Sequence, residues 1–281
     1  MSGESETAGQ SEPSIPVKIP SFPSVQVHRY DPRSESWLQV PGMLEKRTRF
    51  HADVLSEGLV AVAGGTSLGK LTASTERYIL GEDRWELTAP LPVAVVDHAG
   101  ATHKGILYIS GGFSGGNTLP HLYSYLPRLK RWVVNRPLAF SRCDHGMATL
   151  EDTIYCVGGR TLSKEKEWVH VNEMESYRPA VDQWTTVRVS PLRYSQFSLT
   201  ASGQRLYITG GGSLHNRSKT TGVFTYTRDR KWECAGMLPV VLADHCACIL
   251  SISAQTLRRI KSQEPPLSPT PRRGAESSVV L

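Results

Sequence analysis

The sequence predicts an all-β fold assembled from repeated four-stranded sheets, and three recurring residue types carry this prediction. Five tryptophans are spaced 48, 47, 52 and 48 residues apart, and a tyrosine precedes each by seven residues, or by six in the last case. Four glycine pairs keep the same period. Self-similarity at a fixed interval of this size is typical of repeat architectures. The repeat residues are Tyr30, Trp37, Gly64, Gly65, Tyr78, Trp85, Gly111, Gly112, Tyr125, Trp132, Gly158, Gly159, Tyr177, Trp184, Gly210, Gly211, Tyr226 and Trp232.

The unit over residues 91–132 shows what one repeat contains. Short β-prone runs at Asp97–His103, Ile106–Ile109, His121–Tyr125 and Arg131–Val134 are separated by glycine-, proline- and lysine-containing turns. Four such runs predict a four-stranded antiparallel meander. A sheet of this size cannot bury both of its faces alone, but sheets stacked radially can, which predicts a β-propeller. In this arrangement the Tyr and Trp fill the gap between adjacent blades, and the glycines end the second strand at a turn with positive φ.

The repeats are incomplete at both ends of the chain. Residues 25–40 supply only a third and a fourth strand, and four full units follow at about 43–88, 91–135, 138–188 and 192–234. Leu242–Ile252 begins another first strand, but Arg258-Arg259 stand where the next glycine pair should fall. The sequence therefore predicts a propeller with four full four-stranded blades plus an incomplete composite fifth blade from the two ends. A ring left open is the alternative, and an open edge invites pairing with another chain.

Composition sets the expected domain limits and environment. We expect a disordered N-terminal segment over residues 1–24, the propeller over 25–252, and a disordered Pro/Ser/Arg tail over 253–281. No run reaches the roughly 20 apolar residues of a membrane span, and the acidic start does not resemble a secretory signal. Five cysteines without paired spacing favour a cytoplasmic, or also nuclear, protein with reduced thiols. The net charge of +6 includes no dense basic run, so no nucleic-acid partner is expected.

Adjacent Asp and His residues recur at Asp97-His98, Asp144-His145 and Asp244-His245, with His51 and Phe197 interpreted as members of the same column. An acid beside a histidine could indicate acid–base chemistry, and several histidines around one axis could indicate a metal. However, adjacent residues on a strand point to opposite faces, and Phe197 shows that the position accepts an apolar ring. Blade packing therefore explains the column, and we predict no catalytic residue, no metal and no cofactor.

Loops at one end of the blades are the expected binding surface, because loops on a rigid scaffold carry binding. The loop Arg160–His170 is longer than its counterparts and holds Trp168, the tryptophan outside the repeat spacing. A Trp with no blade to fill is a candidate interaction hot spot, although packing onto its own loop is equally plausible. The predicted ligand-binding face comprises Arg49, Thr66, Asp97, Phe113, Ser114, Cys143, Arg160, Trp168, Tyr194, Ser195 and Arg217.

The stretches LYITGGG and MESYRPAVDQW, and their counterparts over residues 25–250, resemble the kelch repeat, most closely that of the Kelch-like branch. Members of that branch carry BTB and BACK domains ahead of a six-bladed propeller. The BTB domain dimerises and holds cullin-3, while the propeller captures a protein for ubiquitination. The resemblance therefore implies a protein-interaction module, a substrate-recognition propeller related to the adaptors of cullin-3 ubiquitin ligases.

Two departures from the branch limit this implication. Only some 24 residues precede the first repeat strand, so we expect no BTB or BACK domain and only an indirect link to a cullin-3 ligase. Arg49 and Arg160 match positions at which relatives grip acidic peptides, but Val96 and Ala243 stand where further arginines are expected.

Two alternatives stay open at the level of sequence. Some kelch relatives bind actin, which would make the chain a cytoskeletal protein. Galactose-oxidase-like enzymes also use kelch propellers, but no distinctive Tyr/Cys/His set lies outside the repeat frame here. We therefore predict a non-enzymatic protein.

Overall fold

The structure is a computed structural model that describes residues 24–56, 58–66, 69–187, 193–215, 218–227 and 231–249, together with 254 and 258. These residues form 22 β-strands and two 3₁₀ turns, Pro127–Leu129 and Pro179–Val181. The strands make four four-stranded antiparallel sheets and three two-stranded ones, which confirms the predicted all-β class. No helix among the described residues has the length and apolar character needed to cross a bilayer.

An N-terminal hairpin precedes the first full blade. The hairpin consists of β1 (Val27–Asp31) and β2 (Ser36–Val40). The first blade consists of β3 (His51–Leu55), β4 (Gly58–Gly65), β5 (Leu71–Ile79) and β6 (Arg84–Thr88). Its strands pair in chain order, as a meander requires.

The second and third blades each carry a small additional hairpin in the loop between their second and third strands. The second blade consists of β7 (Ala99–His103), β8 (Ile106–Ser110), the hairpin β9 (Phe113–Ser114) and β10 (Asn117–Thr118), β11 (Leu122–Leu126) and β12 (Arg131–Asn135). The third consists of β13 (Gly146–Leu150), β14 (Thr153–Val157), the hairpin β15 (Arg160–Leu162) and β16 (Trp168–His170), β17 (Met174–Arg178) and β18 (Gln183–Val187). The fourth consists of β19 (Ser198–Ser202), β20 (Arg205–Thr209), β21 (Gly222–Tyr226) and β22 (Trp232–Met237).

The first strands of consecutive blades lie side by side: β3 contacts β7, β7 contacts β13, and β13 contacts β19. Apolar side chains of neighbouring blades share buried clusters, for example Val62 of the first blade with Ile109 of the second. Sheets that meet through their first strands and bury their faces against each other form a propeller, as predicted.

The repeated aromatic residues join the blades. Each Tyr lies opposite its Trp on the next strand, with ring centroids 4.9 to 5.3 Å apart in the five repeats. Three indoles also donate a hydrogen bond to the linker after the preceding blade or hairpin: Trp85 to Pro41 O (2.8 Å), Trp132 to Ala89 O (2.9 Å) and Trp184 to Arg136 O (2.8 Å).

Trp37 departs from this pattern. It was predicted to fill a gap between blades, yet it is 60% exposed, whereas Trp85 is 6% exposed. The reason is that no sheet among the described residues packs on the side of the hairpin that Trp37 occupies.

The glycine pairs of the second, third and fourth blades adopt the predicted positive φ, with Gly111 at 63° and Gly112 at 101°. A Cβ on Gly111 would lie 2.4 Å from Arg142 O, so the following blade also requires glycine here. The first blade differs by one position from the prediction. Ala63 (φ 52°) takes the place of Gly111, and Gly64 takes that of Gly112. This register follows from the bridge Thr48↔Gly65, which corresponds to Val96↔Phe113 in the second blade.

The first strand predicted at Leu242–Ile252 does not form in its described part, residues 242–249. This segment nevertheless runs beside β19, since Asp244 N donates to Gln196 O (2.9 Å) and Ala247 N donates to Ser198 Oγ (2.8 Å). Within the described residues, no strand pairing joins it to the N-terminal hairpin, so closure of a composite fifth blade stays a prediction. The predicted disordered ends lie almost entirely outside the described residues, so the domain limits also stay predictions.

Candidate interaction face

Five equivalent residues form an arc at one end of the blades, just ahead of each first strand. They share a left-handed backbone, with φ between 53° and 61°: Arg49, Asp97, Asp144, Gln196 and Asp244. The amide of each later member donates to the carbonyl of the one before it, over 3.1, 3.0, 3.0 and 2.9 Å. A left-handed non-glycine residue costs about 1–2 kcal/mol, so these inter-blade hydrogen bonds help to hold the arc in place.

Two arginines neutralise two carboxylates of the arc. Arg49 pairs with Asp97 through both guanidinium and carboxylate groups, and its Nε lies 2.6 Å from Asp97 Oδ1. Arg160 Nε donates to Asp144 Oδ2 over 2.6 Å. Burial, together with the neighbouring Asp97, raises the pKa of Asp144 to about 6 despite the opposing effect of Arg160. Asp97, Cys143 and Asp144 bring potential ligand atoms within 4.8 Å of one another, but both carboxylates already have a cationic partner from the chain.

The residues that follow the arc fill a second set of equivalent positions, called here the slot: Phe50, His98, His145, Phe197 and His245. This corrects the predicted column, because His51 lies one residue later, on β3. His145 Nε2 lies 2.9 Å from Ser110 Oγ of the preceding blade, and His245 Nε2 lies 3.0 Å from Thr209 Oγ1. Phe197 instead packs in a cluster with Val157, which occupies the position equivalent to Ser110. At these three positions the slot holds His opposite a hydroxyl and Phe opposite an aliphatic side chain, whereas His98 lies opposite Val62, with its Nε2 3.1 Å from the Val62 carbonyl oxygen.

The slot histidines of the second and third blades are held neutral. Burial lowers the pKa of His98 to about 3, and burial lowers the pKa of His145 well below 6.5. Burial likewise raises the pKa of the Cys143 thiol, with Asp144 and Asp97 adding to the effect. Groups with these protonation states are poor general acids or nucleophiles at neutral pH.

An aromatic corner lies beside the arc, where the small hairpins of the second and third blades meet. The rings of Phe113 and Trp168 have centroids 5.6 Å apart, and Arg160 Cζ lies 4.4 Å from the Trp168 ring centroid. Arg160 thus contacts Asp144 and Trp168 at once. Trp168 remains 37% exposed, so packing within the loops leaves part of the indole available.

Hydrogen bonds tie the loops of three blades together around this corner. Thr118 Oγ1 lies 2.7 Å from Thr161 Oγ1, and Lys166 Nζ donates to Asn117 Oδ1 over 2.8 Å. His170 Nε2 accepts from the amide of Leu214 in the fourth blade, over 2.8 Å. The loops that carry the side chains of the corner are therefore held together by hydrogen bonds between blades.

A cleft of about 380 Å³ adjoins the corner. Its walls are mostly neutral and polar, and Lys219 is its charged side chain: the lining includes Trp168, Ser195, Gln196, Ser213, Leu214 and Lys219. The cleft therefore offers one aromatic wall, several hydroxyl groups and one cation.

The predicted face residues divide into three groups. The arc, the corner and the cleft bring together Arg49, Asp97, Phe113, Arg160, Trp168 and Ser195, while Thr66 and Ser114 occupy equivalent loop positions of the first and second blades. Cys143 is fully buried, and Tyr194 is partly buried, with its ring centroid 6.4 Å from that of Phe224. Arg217 lies outside the described residues.

Sequence reasoning missed Asp144, Gln196 and Asp244 as members of the arc, because Cys143, Ser195 and Tyr194 were taken from one or two residues earlier. A signal was present. The five arc residues are separated by 48, 47, 52 and 48 residues, which are the tryptophan intervals. Applying those intervals to Arg49 identifies the whole arc.

Comparisons with known proteins agree with the fold and the repeats. The Kelch motif family matches residues 94–134 and 141–188. Kelch-like protein 36 from Bos taurus is 36% identical over 232 residues, covering 80% of this chain and 37% of that protein. Kelch-like protein 34 from Homo sapiens is 39% identical over 99 residues, covering 35% of this chain and 15% of that protein. The solved structure of YjhT superposes with a TM-score of 0.64 at 11% identity, over 74% of each chain, and supports the fold alone.

The repeats, the stacked meanders and these matches together define a kelch-repeat β-propeller. Within that class, the chain belongs to the Kelch-like branch. It spans less than two fifths of the length of the Kelch-like proteins 34 and 36 quoted above.

Proposed function

We propose that this chain is a non-enzymatic protein-interaction module that captures a partner protein on the face formed by the arc, the aromatic corner and the cleft. The observation that carries the proposal is Trp168, a half-covered indole braced by Phe113 and Arg160 at the edge of a cleft. Aromatic residues and arginine dominate the binding energy of protein interfaces. A braced aromatic side chain also loses little conformational entropy on binding.

The charges around this face support a partner segment that is not strongly acidic. The carboxylates of Asp97 and Asp144 balance Arg49 and Arg160, which leaves Lys219 as the cation of the cleft. We propose a peptide or loop that places an apolar side chain against Trp168 and a single polar or acidic group near Lys219.

We further propose that the captured protein is a substrate of a cullin-3 ubiquitin ligase. The support is membership of the Kelch-like branch, whose propellers present substrates to such ligases. The link to the cullin would run through another subunit, in the cytoplasm and also in the nucleus.

Affinity capture from cell lysate tests the proposal. We compare the unaltered chain with Trp168→Ala and with Val134→Ala, a control at a valine that is 69% exposed on the outer strand β12. Loss of a hot-spot aromatic costs about 2 kcal/mol or more, or roughly 30-fold in affinity. Partners lost with Trp168→Ala and kept with Val134→Ala support the face, whereas identical sets of retained proteins would contradict it.

Immunoblots of the same eluates separate the two parts of the proposal. Cullin-3 retained together with a Trp168-dependent partner supports the ligase role. A Trp168-dependent partner without cullin-3 contradicts the ligase role and leaves the binding face in place. Direct retention of actin would favour a cytoskeletal function instead.

A further inference from the structure

The inner strand of the first blade is uncovered on one side, although the N-terminal hairpin packs against Tyr78 and Trp85 farther out on that side. On β7, β13 and β19, the residues that face the preceding blade are buried, as Gly100, Met147 and Leu199 show. On β3 the equivalent residue, Ala52, is exposed, and Val54 on the same face is 64% exposed. Together with the exposed Trp37, these residues form what we call the N-terminal surface: Trp37, Ala52, Val54 and the amide of Arg49.

The other end of the propeller carries the complementary features. In three of the other repeats the indole donates to the carbonyl four residues past the preceding tryptophan, and for Trp37 the matching position past Trp232 is Gly236. The linker beyond it exposes apolar side chains. We call this the C-terminal surface: Gly236, Met237, Val240, Val241 and the carbonyl of Asp244.

The two ends of the arc also complement each other in their backbone hydrogen-bonding groups. Four of its bonds run from the amide of one blade to the carbonyl of the previous one. In the part of the chain that the structure describes, the Arg49 amide and the Asp244 carbonyl have no backbone partner. Among the described residues, the arc thus ends at Arg49 in an amide without a backbone acceptor and at Asp244 in a carbonyl without a backbone donor.

We propose that these two surfaces bind each other between two copies of this chain, the N-terminal surface of one copy on the C-terminal surface of the next. The interface would repeat, between copies, the packing that already joins the second, third and fourth blades to the blades before them. A second copy is the occupant because both surfaces stay exposed within a single chain, and a second copy presents the apolar linker and the Asp244 carbonyl in the required register. Because the two surfaces differ, the contact is heterologous and head-to-tail. It shares only Arg49 and Asp244, the end residues of the arc, with the face proposed to bind partner proteins, and it does not include Trp168 or the cleft.

Sedimentation velocity of the 281-residue chain, over roughly 1 to 100 μM, tests the proposal. We expect the mass to rise with concentration for the unaltered chain and for Val134→Asp, whose valine is as exposed as Val54 but lies on the outer strand β12. Val54→Asp should remove the association. A monomer at every concentration, as ring closure within one chain would give, overturns the proposal, and so does equal loss with Val134→Asp.

A mixing experiment tests the head-to-tail geometry. Val54→Asp blocks the N-terminal surface, and Val240→Asp combined with Val241→Asp blocks the C-terminal surface. Each variant alone should be monomeric, while an equimolar mixture should form a one-to-one dimer, because each copy then contributes one intact surface. A mixture that stays monomeric, or a blocked variant that still associates alone, contradicts the proposal. Partner capture through Trp168 should be unchanged in these variants, so this proposal and the proposed function can fail separately.

Discussion

Two blades contain a buried ion pair where the other two blades are apolar, and this difference supplies a sharp test of blade packing. In the third blade, the Arg142 and Glu175 side chains are fully buried, and Arg142 Nη2 lies 2.5 Å from Glu175 Oε2. The second blade places Val95 and Tyr123 at the equivalent positions, inside one apolar cluster. The same sheet geometry therefore accommodates either a buried ion pair or a pair of apolar side chains, provided that both residues of the pair are of the same kind.

The variant Glu175→Gln should be strongly destabilising. Glu175 also accepts the Ala139 amide over 2.8 Å, and Arg142 Nη1 donates to the Gly158 and Glu173 carbonyls over 3.0 and 2.9 Å. Arg142 therefore stays fixed in the interior when the carboxylate is removed. An uncompensated buried charge of this kind costs about 3–5 kcal/mol, a large part of a typical unfolding free energy of about 5–15 kcal/mol.

Urea unfolding, followed by fluorescence, measures the effect as a fall in midpoint at constant slope. The matched comparison is the double variant Arg142→Val with Glu175→Tyr, which copies the pair of the second blade. We expect it to be more stable than Glu175→Gln alone, because it leaves no buried charge, although the Ala139 amide loses its acceptor. A loss below about 1 kcal/mol for Glu175→Gln, or a double variant that is the less stable of the two, would refute the reasoning.

Three further predictions concern the slot and the glycine turns. Because the pKa values of His98 and His145 are lowered in the fold, the unfolded chain binds more protons below pH 6.5. Each histidine should therefore lower the free energy of unfolding by about 2 kcal/mol as the pH falls from 7 to 5. A free energy of urea unfolding that stays constant over this pH range would contradict buried neutral rings. His145→Phe should destabilise the chain, whereas His145→Phe with Ser110→Val should recover most of the loss, since Phe opposite Val is the native arrangement in the fourth blade; equal melting temperatures of the two variants would rule this out. Gly111→Ala should lower the stability of the chain clearly more than Gly105→Ala, because both glycines have positive φ but a Cβ meets neighbouring atoms only at Gly111. Equal decreases in melting temperature would show that contact with the next blade does not restrict the residue at position 111.

The repeat spacing predicted the strands because a period set by blade packing fixes the aromatic and glycine positions together. The runs at Ile106–Ile109 and Arg131–Val134 became β8 and β12 with at most one residue of difference at an end. The spacing could not show that Ala63 adopts a left-handed conformation. That conformation falls where the pairing of β4 with β5 shifts register, between Val62 and Gly64, and the repeat period does not reveal such a shift.

Prediction of the site was less complete, and the reason is geometrical. The arc depends on backbone conformation, which the residue types hide: arginine, aspartate and glutamine all adopt it here. Trp168 was found because it breaks the spacing, but its stacking with Phe113 joins loops of two blades that are distant in sequence. The complete burial of Cys143 likewise has no signal in the local sequence.

Hydrogen exchange is the most direct measurement of the central claim that one end of the blades binds a partner protein. The chain is compared alone and with the partner retained in the capture experiment. We expect slower amide exchange in residues 113–118 and 160–170 and in the cleft segment 212–215, with the outer strands β6, β12 and β18 unchanged. Protection confined to the outer strands, with no change around Trp168, would contradict the claim.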